Sequence, residues 1–179
     1  MRKVLPLLLL LSLTLPLASS EKINFLATVD LTAFDAIWEK HISIKSSLQV
    51  EDPSGISLKV PFNFLIDRSG GKEILFESGV QLMFYPWKKG PFILLSLAQV
   101  NAFIGPNRPD ETVSYLNEIA FGYSWEFYEP LVIQLSLLYR DPSNSYQREY
   151  QYINTLIPTF RKFRFVLDFG WKFFSKEKR

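Results

Sequence analysis

The sequence contains no cysteine. The chain can therefore form neither a disulfide nor a thiolate metal site, and it offers no cysteine for a lipid anchor. It holds a single histidine, and its sequence has no glycine-rich phosphate loop, no cluster of metal ligands and no nucleophile elbow. We therefore expect no catalytic residue, no cofactor-binding residue, no metal ligand and no cofactor.

Long apolar runs are also missing after residue 20, which predicts that no helix of residues 21–179 spans a membrane. The preceding residues differ, with basic Arg2-Lys3, an apolar stretch from Val4 to Leu17, and small residues at Ala18-Ser19-Ser20. This order is typical of a cleaved secretory signal peptide. We predict a signal peptide at residues 1–20 and one domain at residues 21–179.

The chain also has a low net charge. The full sequence has 20 Lys and Arg residues against 18 Asp and Glu residues, and removing Arg2 and Lys3 leaves 18 of each. Nucleic-acid-binding proteins carry a clear excess of positive charge. The balance therefore predicts no nucleic-acid partner.

Aromatic residues are abundant, and their spacing is most informative from Phe163 to Phe174. The odd positions hold only Phe, Leu and Trp, whereas the even positions include Arg164, Asp168 and Lys172. Successive side chains of a β-strand point to opposite faces. An apolar wall about ten residues long, opposite a charged face, is typical of a transmembrane β-strand with lipid outside and a polar lumen inside.

The same alternation recurs along the chain and gives nine candidate strands, although bacterial barrels of this kind have an even number. Tyr150–Phe160 and Asn24–Trp38 are the two doubtful candidates. Periplasmic turns are short and extracellular loops are longer. Rejecting Tyr150–Phe160 places both long connections outside the cell, whereas rejecting Asn24–Trp38 places the long connections in the periplasm. We therefore predict an all-β fold, an eight-stranded antiparallel up-and-down transmembrane β-barrel of the outer-membrane type. Its strands are Asn24–Trp38, His41–Val50, Ile56–Ile66, Ile74–Phe84, Phe92–Phe103, Tyr115–Phe127, Leu131–Tyr139 and Phe163–Phe174.

Three segments resemble known proteins. Phe163–Phe174 resembles the aromatic-terminated last strand of bacterial outer-membrane barrels, although Ser175–Arg179 follows it here. Gly79–Leu95 and Gly122–Tyr139 are similar to hairpins of small bacterial barrels of unknown function. The chain thus resembles small eight-stranded barrels of the OmpX or OmpW type, or a related family. This resemblance implies a place in the bacterial outer membrane, contact with outer-membrane lipid, and assembly by the barrel-assembly machinery.

An eight-stranded barrel is only wide enough for its own side chains, so charges inside it must pair. Mixed signs predict a plug, whereas a selective channel would favour one sign. The alternation also places Trp87, Trp125 and Trp171 at the periplasmic rim. The charged residues predicted to line the lumen are Lys45, Lys59, Glu73, Glu77, Glu118, Glu126, Arg140, Arg164, Asp168 and Lys172.

Two alternative functions remain open. His41 and Ser43 lie on one polar face, and this pair resembles the His-x-Ser arrangement of outer-membrane lipid A deacylases, with Glu39 or Glu51 as the orienting carboxylate. The pair would face the lumen, away from lipid, so we do not expect an enzyme. The second alternative is a soluble lipocalin-like barrel, which would carry its apolar face and a ligand cavity inside.

Specific contacts of a plugged barrel would come from its loops. The two long ones are predicted at residues 105–112 and 141–152. They would contact a host or surface ligand, or serve only as solvated spacers. Their polar, charged and aromatic residues include Asn107, Arg108, Asp110, Glu111, Tyr146, Arg148, Glu149, Tyr150 and Tyr152.

Overall fold

The computed structural model describes residues 22–33, 41–67, 74–104, 113–114, 117–156 and 161–177. The predicted signal peptide lies outside these residues. In the described part of the chain, one helix, α1 (Gln147–Leu156), accompanies the strands. The strands are β1 (Lys22–Asp30), β2 (His41–Glu51), β3 (Ile56–Asp67), β4 (Ile74–Phe84), β5 (Gly90–Ile104), β6 (Val113–Ser114), β7 (Glu118–Tyr128), β8 (Leu131–Arg140) and β9 (Phe163–Glu177).

The strands form a closed antiparallel barrel. Each long strand pairs with two others, and β1 closes the ring by pairing with both β2 and β9. The two-residue β6 pairs only with β5, beside the start of β7. The eight long strands therefore complete the ring, and the predicted eight-stranded, all-β, antiparallel barrel is confirmed.

The two ends of the barrel differ in their connections. One end, the short-turn mouth, carries the tight turns Asp52–Gly55, Tyr85–Lys89 and Glu129–Pro130, together with the first residue of β1 and the last residue of β9. The other end, the long-connection mouth, carries every longer connection. Residues 105–112 and 141–162 both connect strands there, so the two long connections lie at the same end of the barrel. Which end faces the periplasm stays a prediction.

Two sequence predictions are corrected. The first strand ends at Asp30 and not at Trp38, because residues 31–33 form a 3₁₀ turn; residues 34–38 lie outside the described part. The predicted loop at residues 141–152 contains the first part of α1, which also replaces most of the strand candidate Tyr150–Phe160. Residues 105–112 and 157–160 lie outside the described ranges.

Apolar residues of the strands face outward, as the alternation predicts. On β9, Phe165 is 69% exposed, whereas Asp168 is 6% exposed. These outward rows oppose the lipocalin-like alternative, which needs its apolar face inside. The same outward orientation is found in every long strand, for example at Val29, Leu48, Leu58, Val80, Leu97, Phe121, Leu135 and Phe169.

Bulges explain two departures from strict alternation. Val80 pairs with Ala98 and Gln81 with Ser96, so Leu97 is an extra residue in β5. A bulge of this kind reverses the face on which later residues lie. Phe92 and Leu94 before it are therefore buried inside, and Gln99 after it is inside as well.

A second bulge lies between β1 and β9. Phe25 pairs with Phe174 and Leu26 with Lys172, which leaves Phe173 as the extra residue. Phe173 and Phe174 are consequently both exposed, at 57% and 52%. The bulge therefore explains why Phe174, at an even position of β9, is apolar and faces outward.

An apolar cluster fills part of the interior. It consists of the buried residues Met83, Tyr85, Phe92, Leu94, Ala120 and Leu138, with Val166 packed against it. The ring of Phe92 fits only because Gly122 has no side chain. A Cβ at Gly122 would lie 2.4 Å from Phe92 Cζ and 2.5 Å from the carbonyl oxygen of Leu135.

We predict that Gly122→Ala lowers the free energy of unfolding by about 1–3 kcal/mol, because the Phe92 ring must leave its position. Gly170→Ala is the matched control on the inner face. The nearest atoms to its Cβ would be side-chain carbons of Leu26 and Thr28, the closest at 3.0 Å, and these need to shift less than the Phe92 ring. Urea unfolding of both variants measures the difference, and equal stability of Gly122→Ala and the wild type would contradict the packing described here.

Candidate functional site: the barrel interior and its two mouths

The short-turn mouth is ringed by charged side chains. Lys172 Nζ lies 2.6 Å from Glu126 Oε1 and 3.9 Å from Glu51 Oε2, and Lys89 Nζ lies 3.1 Å from Glu126 Oε2. Glu51, Lys89 and Glu126 line a cavity of about 450 Å³, whose wall also includes Trp87 and Tyr85. The mouth thus combines ion pairs with an aromatic wall.

A hydrogen-bonded layer lies next to this cavity, inside the barrel. Gln49 and Gln134 each donate to the Tyr85 hydroxyl oxygen over 3.3 Å, and Gln134 also donates to the amide oxygen of Gln49. Tyr85 packs its ring against Phe92, with ring centroids 5.5 Å apart. The layer and the apolar cluster together separate the mouth cavity from the centre of the barrel.

The centre holds a second and smaller cavity of about 70 Å³, here called the central chamber. Three buried ion pairs lie around it. Their distances are 2.5 Å from Lys59 Nζ to Asp168 Oδ2, 2.8 Å from Arg140 Nε to Glu118 Oε1, and 3.0 Å from Arg164 Nη2 to Asp30 Oδ2.

The structure therefore brings most of the predicted lumen charges together, and the predicted pairing is confirmed for these three pairs. Glu126 and Lys172 lie at the short-turn mouth instead of the centre. Lys45 and Glu77 are buried, at 9% and 3% exposed, and Glu73 lies outside the described residues. Asp30, which pairs with Arg164, was not among the predicted lumen charges, although the inward parity of β1 indicates it. Alternation along β2 and β8 places Gln49 and Gln134 on the inner face, whereas Tyr85 follows the end of β4 and was not predicted to lie inside.

The long-connection mouth is ordered by Asp141. Its side chain is 1% exposed and its φ of 47° is positive. Its backbone N–H donates to the carbonyl oxygen of Asn117 over 2.8 Å, and its carboxylate accepts the N–H of Tyr146 over 3.2 Å. The turn that leads into α1 is therefore held by hydrogen bonds on both sides.

Helix α1 turns Ile153, which is fully buried, away from solvent. Burial raises the pKa of the Tyr150 hydroxyl, and the positive charge of Arg140 opposes this effect. The phenol of Tyr150 thus lies within electrostatic reach of the buried Arg140–Glu118 pair. Gln147, Arg148, Gln151 and Asn154 form the exposed face of the helix.

Only part of the hydrolase arrangement that His41 and Ser43 suggest lies within the described residues. The backbone of His41 begins β2, while its side chain and the whole of Glu39 lie outside the described residues. Ser43 is 9% exposed and faces the interior. Glu51 ends the same strand ten residues later, about 33 Å from the position of His41, so it cannot orient that imidazole.

Three tryptophans lie at one mouth, as predicted. Trp87 is in the turn Tyr85–Lys89, Trp125 is near the end of β7, and Trp171 pairs with Leu131 at the start of β8. Trp125 and Trp171 are exposed on the outer surface, at 38% and 52%. They form an aromatic rim around the short-turn mouth.

Within the described ranges, no helix is long and apolar enough to cross a membrane. The same part of the chain holds no group of three or more His, Cys, Asp or Glu side chains arranged to bind a metal ion. In comparisons with known proteins, no protein-family model, no curated protein and no solved structure matches this chain.

Proposed function

We propose that this chain is an integral protein of the bacterial outer membrane, whose barrel spans the bilayer with a lumen filled by side chains. The observation that carries the proposal is the apolar outer surface. Soluble monomers rarely expose contiguous apolar patches of more than a few hundred Å². Here large apolar side chains are exposed on all eight long strands, so a surrounding apolar solvent is the simplest explanation of the surface.

The backbone supports the same proposal. Within a bilayer every N–H and C=O group needs an internal partner, and a closed barrel supplies one because it has no free edge. A transmembrane strand needs about 9–11 residues. The eight long strands have 9 to 15 residues, with β1 the shortest and β5 and β9 the longest.

We assign the protein a structural or surface-interaction role through its long-connection mouth. A filled lumen leaves recognition to the connections, which are the usual carriers of binding on a rigid scaffold. The exposed polar face of α1, with Arg148 and Gln151, is the described part of this mouth that a host or surface ligand would contact. The predicted loop at residues 105–112 is a further candidate.

The proposal is tested by expressing the full chain in a Gram-negative host and fractionating the cells. We expect the protein in the outer-membrane fraction, resistant to carbonate extraction, with a band that migrates faster in unboiled than in boiled gel samples. A soluble monomer recovered without detergent would contradict the proposal. Added ligand is not required for either measurement.

We also predict that the purified protein gives no stable conductance in planar bilayers, since the apolar cluster and the Tyr85 layer separate the two cavities. The control is the double variant Tyr85→Ala with Phe92→Ala. It removes both rings from this barrier, and we expect small but resolvable currents from it. Steady porin-like currents from the wild-type protein would contradict the filled lumen.

A further inference from the structure

The central chamber contains a buried cation, Lys45, that takes part in none of the three ion pairs around it. Lys45 faces the chamber and is only 9% exposed. Within the described part of the chain, its ammonium group has no carboxylate within 4.0 Å and no hydrogen-bond acceptor. By contrast, Lys59, Arg140 and Arg164 each pair with a carboxylate at the chamber wall.

The charges around Lys45 leave the chamber positive. Its wall carries the four cations Lys45, Lys59, Arg140 and Arg164 against the three carboxylates of Asp30, Glu118 and Asp168. Arg164 and Arg140 repel the charge of Lys45, while Glu77 and Asp30 attract it. Asp30 is already engaged with Arg164, and Glu77 does not form part of the chamber wall. A buried charge without a partner destabilises a fold, so an additional anion in the chamber would stabilise it.

We propose that the central chamber binds a small inorganic anion, chloride in its simplest form, with Lys45 as the principal ligand. The cavity of about 70 Å³ has room for a halide with a few waters. It is too small for a phosphorylated metabolite or a lipid headgroup. Ser136 also lies on its wall, and its hydroxyl can donate a hydrogen bond to an anion. Two other polar wall residues are already engaged, since the Ser47 hydroxyl shares a hydrogen bond with Thr28 over 2.6 Å and Gln81 Nε2 donates to Glu118 over 3.4 Å.

Glu77 provides the competing explanation. Its Oε1 is buried without a hydrogen-bond partner among the described residues, and its only hydrogen bond in that part of the chain comes from Asn63 over 3.4 Å. Lys45 and Glu77 would then neutralise each other across intervening water, and no anion would be needed. The two explanations predict opposite effects of removing the Glu77 charge.

The test measures chloride binding by the folded protein in detergent. Line broadening of ³⁵Cl in NMR reports the bound ion, and bromide serves as competitor. The apparent melting temperature is compared in sodium chloride and in sodium gluconate at equal ionic strength. The variants are Lys45→Met, Lys45→Arg and Glu77→Gln, with Lys176→Met as a control because Lys176 is exposed near the end of β9, outside the chamber wall.

We expect bromide-sensitive broadening and a higher melting temperature in chloride for the wild type, the Lys176→Met variant and the Lys45→Arg variant. Lys45→Met should weaken chloride binding by about tenfold or more, and Glu77→Gln should strengthen it. The proposal is overturned if chloride and gluconate give the same melting temperature without broadening, or if Lys45→Met binds chloride as the wild type does. If Lys45→Met does not fold, the comparison of the wild type with Glu77→Gln tests the proposal. Chloride binding that Glu77→Gln abolishes or leaves unchanged would then also overturn the proposal.

Discussion

Leu135→Arg is expected to lower the free energy of unfolding of the barrel in lipid vesicles by about 2–4 kcal/mol, the cost of an Arg on the lipid face near the bilayer midplane. Leu135 lies in the middle of β8, is 41% exposed, and pairs with Tyr123 and Leu167. The substitution would therefore place a guanidinium group among apolar neighbours with no carboxylate beside it. Equilibrium unfolding in urea, with vesicles present in both states, measures the change.

Two further substitutions serve as controls for the depth and the face of position 135. Tyr128→Arg lies at the short-turn rim, and we expect a cost of only about 0–1 kcal/mol there because the penalty falls toward the interface. Ser136→Arg points into the central chamber, so its effect should worsen when Glu118→Gln removes a carboxylate from the wall. Equal tolerance of Arg at positions 135, 128 and 136 would show that the assignment of the faces is wrong.

Lys59→Met should destabilise the protein by about 3–5 kcal/mol, because it leaves the Asp168 carboxylate buried without its partner. The two groups are 2.5 Å apart, and their side chains are only 10% and 8% exposed. The pair joins β3 to β9 across the interior, although β2 and β1 lie between these two strands in the sheet. Urea unfolding in detergent or in vesicles should give the same loss, since this interaction does not involve lipid.

The double variant Lys59→Met with Asp168→Asn separates pairing from packing. A neutral amide needs no counter-charge, so the double variant should recover most of the stability that Lys59→Met loses. A double variant as unstable as Lys59→Met would indicate that the aliphatic part of Lys59, and not its charge, stabilises the barrel. Full stability of Lys59→Met would contradict the buried pair altogether.

Local backbone geometry explains why so much of the fold could be predicted from the sequence. A strand turns alternate side chains to opposite faces whatever lies beyond it. The odd-numbered apolar residues of β9 and the charged residues between them were therefore assigned correctly. The number of strands could be predicted from the connections, because Pro and Gly mark the tight turns near Pro53, Pro86 and Pro130.

Bulges and the helix could not be predicted in the same way. An extra residue such as Leu97 changes the face of its neighbours without changing composition, because the surrounding stretch of β5 is apolar on both sides. In α1, Tyr150 and Ile153 are the only inward-turned positions that the structure describes. Two apolar positions three residues apart are too few to predict a helix from their spacing.

The interior contacts depend on distances across the barrel. Alternation places Lys59 and Asp168 on the inner face, but they are 109 positions apart in the chain, and only closure of the ring brings them together. The same is true of Gln49 and Gln134, which meet at Tyr85 from different strands. Sequence patterns therefore predicted which charges lie inside and could not predict which of them pair.

The most direct test of the central claim, that lipid surrounds the apolar outer face, uses neighbouring residues on β8. Because the chain has no cysteine, Leu135→Cys and Ser136→Cys each introduce a single thiol for a nitroxide label. In vesicles, collision with oxygen, which concentrates in lipid, is compared with collision with a water-soluble nickel chelate. We predict that the label at position 135 is accessible to oxygen and protected from nickel, and that the label at position 136 is protected from both. A label at position 135 that collides mainly with nickel in the folded, vesicle-bound protein would contradict the account.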